Sequence, residues 1–246
     1  MPNWCDNILT IEGPAEELAR FVSKVRESGS LLGATVPCPE SLKEVGAGSM
    51  EDAYHILYGR IPYRNIPEDL SINMVNPSEE DREALFVHHF GPSDSSMEKK
   101  RAAAKQYKHN MDTYGHLTWY TWCVANWGTK WDVFPDLESL PEISSYQSTA
   151  NHGSWTYSFD TAWAPPKAWL LETSERFPTL QFLLEYHEMG CWFAGYLACK
   201  EGVRTSELEG EPDDKNSQGE LVFPFCEALL ADVEEWEREE EEEEEV

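Results

Sequence analysis

NWCDNILTIEGPAEELARFVSKVRESG, Asn3 to Gly29, sets out a strand followed by a helix. Residues 3–12 alternate, with Trp4, Asp6, Ile8 and Thr10 on one side and Cys5, Asn7, Leu9 and Ile11 on the other, the period of a strand. Gly13-Pro14 breaks that pattern and opens a helix. Leu18, Phe21, Val22 and Val25 then recur at helical spacing, and Gly29 falls where a left-handed cap belongs.

A second strand stands out at Ser154–Trp163 (SWTYSFDTAW). There Trp155, Tyr157, Phe159, Thr161 and Trp163 share one face, and Thr156, Ser158 and Asp160 the other. A strand within Asp132–Tyr146 is expected to pair with it as a hairpin. Pro165-Pro166 opens a further helix with Leu170, Thr173 and Phe177 on one side. Residues 179–187 and 191–200 read as two strands joined at Met189-Gly190. Between the first helix and these elements, 52–59, 77–90 and 97–113 are expected to be helical. The last of these gathers Lys99, Lys100, Arg101, Lys105 and Lys108, a stripe that reads as a solvated face paired to neighbouring acids rather than a phosphate-binding surface.

Trp119–Trp131, WYTWCVANWGTKW, holds four of the ten tryptophans. Trp119, Trp122, Cys123 and Asn126 fall on one helical face and Gly128 ends the helix, so Trp119, Trp122 and Trp131 read as core. Trp127 and Lys130, at the turn, are candidates for contact with a partner. Asp132 beside them either joins such a binding loop or latches the turn by accepting backbone N–H groups.

The order β-α-β-β-α-β is that of an α+β, ferredoxin-like sheet. The expected organisation is a single domain over 1–204 with a mainly helical insert at about 30–118. An acidic loop at 205–220, a C-terminal helix at 221–238 and a disordered glutamate tail at 239–246 follow it. MPNWCDNILTIEGP, GHLTWYTWCVANWGTKWD, YSFDTAWAPP and EMGCWFAGYL resemble the YubB-type ferredoxin-like domain family of plasmid and bacteriophage proteins, over residues 1–28 and about 115–202. The resemblance implies a fold and a mobile-element setting, with no established reaction. Ala164 stands where that family commonly has a serine before Pro-Pro, and the glutamate tail lies outside the family pattern.

Composition narrows the function. The formal net charge is −27, of which the segment from Asp232 onward carries about −10, so the body is acidic in its own right. Such a surface repels nucleic acid and anionic lipid, and suits solubility or docking on a basic protein. No stretch is long and apolar enough to span a membrane and the N-terminus lacks signal-peptide character, so a cytoplasmic location in a host cell is expected. Six scattered cysteines with no CxxC pair read as buried structural thiols. No Walker loop, dinucleotide fingerprint, nucleophile elbow or HExxH is present, so neither cofactor nor metal is assigned.

The alternation offers one polar constellation. If the aromatic side of 154–163 faces the helices, Asp160 points the other way, where Glu185, His187 and Asp6 also project. Two function classes result. The first is a non-enzymatic binding protein from a phage or plasmid whose acidic surface docks on a basic host protein, such as a nucleic-acid-binding or defence complex, as a counter-defence inhibitor or nucleic-acid mimic. The alternative is a small-molecule or metal-dependent enzyme using Asp160, Glu185 and His187.

Overall fold

The computed structural model describes residues 2–46, 50–61, 76–91, 95–138, 140 and 151–244. The chain divides into two compact units, Met1–Pro37 with Cys123–Val246, and Cys38–Trp122. The mainly helical insert expected after the first helix is observed, and it forms a compact unit with bounds at 38 and 122. Residues 30–37 belong instead to the sheet unit: the Leu31 N–H donates to the Val133 carbonyl at 2.8 Å, and the Trp127 indole N–H to the Val36 carbonyl at 2.8 Å. No helix among the described residues is long and apolar enough to cross a membrane.

The first unit is a ferredoxin-like α+β fold. Five strands, β1 (Trp4–Pro14), β2 (His152–Ala162), β3 (Gln181–Glu188), β4 (Phe193–Lys200) and β5 (Val203–Gly210), form one antiparallel sheet in the order β2-β1-β3-β4-β5. Among the described residues β2 pairs with β1. Residues 132–138 of the expected hairpin strand are not in strand conformation, and 139 and 141–146 lie outside the described residues.

Helices α1 (Ala15–Ser28) and α7 (Lys167–Arg176) pack on one face of the sheet, α1 against β1 and β2, α7 against β3, β4 and β5. The alternation expected in β1 is observed: Cys5, Leu9 and Ile11 are fully buried under the helices, while Trp4 and Asp6 are exposed. Phe21 of α1 sits at the centre of the layer, 5.3 Å from the Phe177 ring, 5.9 Å from Trp155 and 6.1 Å from Phe182. Burying one such ring contributes about 1.5–3 kcal/mol, which makes this cluster the largest local reason for the helix to lie on the sheet.

The tryptophan turn packs against the start of α7. Helix α6 (Trp119–Asn126) ends at Gly128, whose φ of 89° is open to glycine at little cost. A Cβ there would lie 3.1 Å from the Pro165 carbonyl oxygen, so Gly128 also lets the turn abut the start of α7. That start has no side-chain cap. The Trp127 carbonyl instead accepts the N–H of Trp169 at 3.2 Å, satisfying one of the orphan donors that a serine cap would take.

Four features depart from the expectations. Residues 203–210, placed largely in the acidic loop, form β5. Glu201 (φ 55°) and Gly202 (φ 74°) make the two-residue turn that favours a hairpin, and a polar strand is tolerated at a sheet edge. The glutamate run, expected to be disordered from 239, continues helix α8 (Glu227–Glu244); repulsion between glutamates four apart costs only about 0.2–0.5 kcal/mol per pair against a good helix former. Trp163 does not extend the buried face of β2 but lies beyond its end at φ 74°, 50% exposed. Cys191 is exposed in the β3–β4 turn, unlike the other five cysteines.

The second unit is helical. Helix α2 (Glu40–Lys43) is followed by α3 (Glu51–Leu57), α4 (Glu79–Phe90) and α5 (Ser95–Tyr114), around Ala53, Ile56, Leu85, Phe86, Met97 and Ala104. A capping box between Ser78 and Asp81 starts α4. The basic stripe of α5 makes local ion pairs, Arg101 with Glu83 and Lys108 with Asp112 at 2.7 Å.

Candidate functional site

The sheet face away from α1 and α7 is only partly covered. Phe223 of the loop and Cys226 of the short 3-10 turn Pro224–Cys226 pack on Ala194 of β4, with Tyr196, Val222 and Phe225 around them. Over β2, β1 and β3 the described residues leave the face open, and strand register decides what stands there.

Asp6 pairs across the sheet with Asp160 on one side and His187 on the other, which places all three in one row. The next row on the same face holds Ser158, Ile8 and Glu185. Asp6, Ile8, Asp160, Glu185, His187 and Phe225 line a cavity of about 210 Å³. The structure therefore brings together the four polar residues singled out from the alternation, and Phe225 adds an aromatic wall.

Electrostatics in this cavity follow first from burial and, at Asp160, then from a neighbouring like charge. Burial pushes the Asp160 carboxyl above its ordinary range. The negative charge of Asp6 and a hydrogen bond between the two carboxyls push the same way, against the opposing influence of His187. Burial also raises Glu185. Cys226, beneath the wall, is pushed up to about 12, chiefly by burial and then by Glu185, which keeps its thiol protonated. Nδ1 of His187 lies 3.4 Å from Oδ2 of Asp6, within ion-pair reach when the imidazole is protonated, but makes no hydrogen bond to a described residue. The arrangement can take up a proton or a cation. Among the described residues no three His, Cys, Asp or Glu side chains are arranged to hold a metal ion.

The other sequence candidates, Trp127, Lys130 and Asp132, do not line this cavity. Trp127 is buried, 4% exposed, with its indole bonded to Val36, so it does not offer a contact surface. Asp132 is the latch: its carboxylate accepts the N–H groups of Leu32 at 3.0 Å, Gly33 at 3.2 Å and Val133 at 2.8 Å. Lys130 lies 4.4 Å over the Trp131 ring. Trp131, expected in the core, is 39% exposed, and its ring stands 6.1 Å from that of Trp4. On the helix side, Lys167 of α7 bonds Glu209 at 2.6 Å and Glu207 at 3.1 Å, and the Tyr186 hydroxyl bonds Glu209 at 2.9 Å. This network ties β5 to α7, and Gly195 leaves the room that the Tyr186 hydroxyl requires.

Phe225 and the covering strip were missed in the sequence. The signal was present in the apolar burst Leu221-Val-Phe-Pro-Phe-Cys226, which follows a polar loop.

The fold defines a ferredoxin-like α+β protein with an open, acidic sheet face. Residues 142–246 match the family model of the ferredoxin-like domain in Api92-like protein. A crystal structure of a protein api92 from Yersinia pseudotuberculosis is similar at 14% identity and a TM-score of 0.34, over 86% of this chain and 98% of that one. No curated protein matches.

Proposed function

We propose that the chain is a non-enzymatic binding protein that docks through its acidic surface on a basic host protein. On this reading it belongs to a phage or plasmid, as the YubB-type resemblance implies. It works in the cytoplasm as a counter-defence inhibitor or a nucleic-acid mimic, presenting carboxylates where its target expects phosphates.

The observation that carries the reading is the charge of the open face. β1, β2 and β3 contain no lysine or arginine, while Asp6, Glu12, Asp160 and Glu185 stand on their uncovered side. Carboxylates gathered without cations repel one another, and a cationic partner relieves that repulsion. The test is capture from bacterial lysate on the immobilised full chain. A basic protein retained at low salt, released at moderate ionic strength and displaced by duplex DNA is expected. Retention of nothing, or of a protein indifferent to salt and DNA, overturns the proposal.

A second reading, a small-molecule enzyme, is favoured by one observation, the meeting of Asp160, Asp6 and His187 with a raised Asp160 proton affinity. Replacing Asp160 and His187 by alanine then abolishes an activity without lowering the melting temperature. A large loss of stability in either variant marks the residues as structural.

A further inference from the structure

We infer that the open sheet face is the seat of an arginine-bearing helix of a partner protein, with a guanidinium bound across Asp6 and Asp160. The inference rests on the acidic-docking reading above and assigns its surface and its anchor.

Geometry limits the occupant. Three strands spaced about 4.8 Å apart give a floor roughly 10 Å wide between β2 and β3, the diameter of one α-helix. Phe225 bounds the floor on the β3 side, and Ile8 lies in its middle. A further hollow of about 400 Å³, lined by Thr10, Glu12, Leu183, Ala198 and Lys200, continues the same face along the strands. The cavity at Asp6 and Asp160, about 210 Å³, falls below the roughly 300–1,000 Å³ of small-molecule pockets and accommodates one side chain.

Charge selects the chemistry. A second copy of this chain brings the same carboxylates against themselves and a net charge of −27, so self-association through this face is opposed. Nucleic acid is opposed for the same reason. A cationic helix meets four carboxyls on strands that carry no lysine or arginine of their own.

Arginine fits better than lysine. Asp6 of β1 and Asp160 of β2 are direct cross-strand partners on this face, so their two carboxylates stand side by side for a planar fork of donors. Trp4 stands on the same face as Asp6, two residues earlier in β1, and is 50% exposed. Its indole supplies a stacking wall for the guanidinium.

The experiment uses the ¹⁵N-labelled full chain and an alanine-based helical peptide bearing arginine along one face, with its lysine and glutamate counterparts as comparisons. The arginine peptide is expected to bind at low salt and to shift the amides of Trp4, Asp6, Ile8, Asp160, Glu185 and His187. The lysine peptide binds more weakly, and the glutamate peptide not at all. The double variant Asp6→Asn, Asp160→Asn weakens the arginine peptide by about tenfold or more, and Trp4→Ala by about threefold or more, with the spectrum otherwise native. Shifts confined to α8, or full affinity in the double variant, overturn the assignment of this face but leave acidic docking standing. Absence of binding by both cationic peptides at low ionic strength overturns the docking reading with it.

Discussion

Asp160→Asn is expected to stabilise the protein at neutral pH while weakening its binding. Asp6 and Asp160 are direct cross-strand partners on the open face, and like charges so placed cost about 0.2–1 kcal/mol. Asp160 also bears a desolvation penalty, weakened by solvent on this exposed face, so a gain of about 0.5–1 kcal/mol is expected at neutral pH. In a protein of this size that corresponds to a melting temperature higher by roughly 1–4 °C. The sign with pH follows from the raised proton affinity of Asp160 in the folded state. Below the unfolded carboxyl value, about 3.9, both states hold the proton and no penalty exists. As pH climbs through the folded value the carboxylate forms at a cost and stability is lost. The gap between variant and wild type is therefore open at about pH 7 and closes toward about pH 3. Thermal unfolding followed by circular dichroism at both pH values measures it. A variant less stable than wild type at neutral pH, or a gap of equal size at both, refutes the electrostatic account of this row. Stability gained together with affinity lost is the signature of a surface kept unfavourable for the sake of binding.

Three further outcomes test the latch that joins the tryptophan turn to the sheet. Trp127→Phe leaves the Val36 carbonyl without its donor, and urea unfolding should show a loss of about 1–3 kcal/mol. Asp132→Ala strands the N–H groups of Leu32, Gly33 and Val133 and should cost about 1.5–3 kcal/mol by the same assay, with no effect on peptide affinity at the open face. Gly128→Ala forces a side chain into φ 89° against the Pro165 carbonyl, and a fall of about 1–3 kcal/mol is expected from its denaturation midpoint.

Much of the fold was legible because it rests on local period. The alternation of β1, the helical spacing of Leu18, Phe21, Val22 and Val25, and the left-handed Gly29 are all found where the pattern puts them. β5 was hidden by composition: an edge strand buries little, so Val203–Gly210 carries no apolar alternation, and only Glu201-Gly202 marks the hairpin. Trp131 and Trp163 illustrate the opposite error. Indoles suggest burial, but each sits just beyond the regular element that would have carried it inward, and both remain exposed.

The candidate site divides in the same way. Period two placed Asp160 opposite the buried aromatics of β2, and set Asp6, Glu185 and His187 on alternating positions of their own strands, so the sequence alone determined which residues share a side within each strand. It did not determine that Asp6 lies between Asp160 and His187. That depends on the register of β1 against two strands about 150 and 180 residues away, and a slip of one residue would send either partner to the other face. Only the tertiary structure decided it, because register over such separations is set by the packing of Phe21, Trp155, Phe177 and Phe182 under the helices, and not by any preference of the strands themselves.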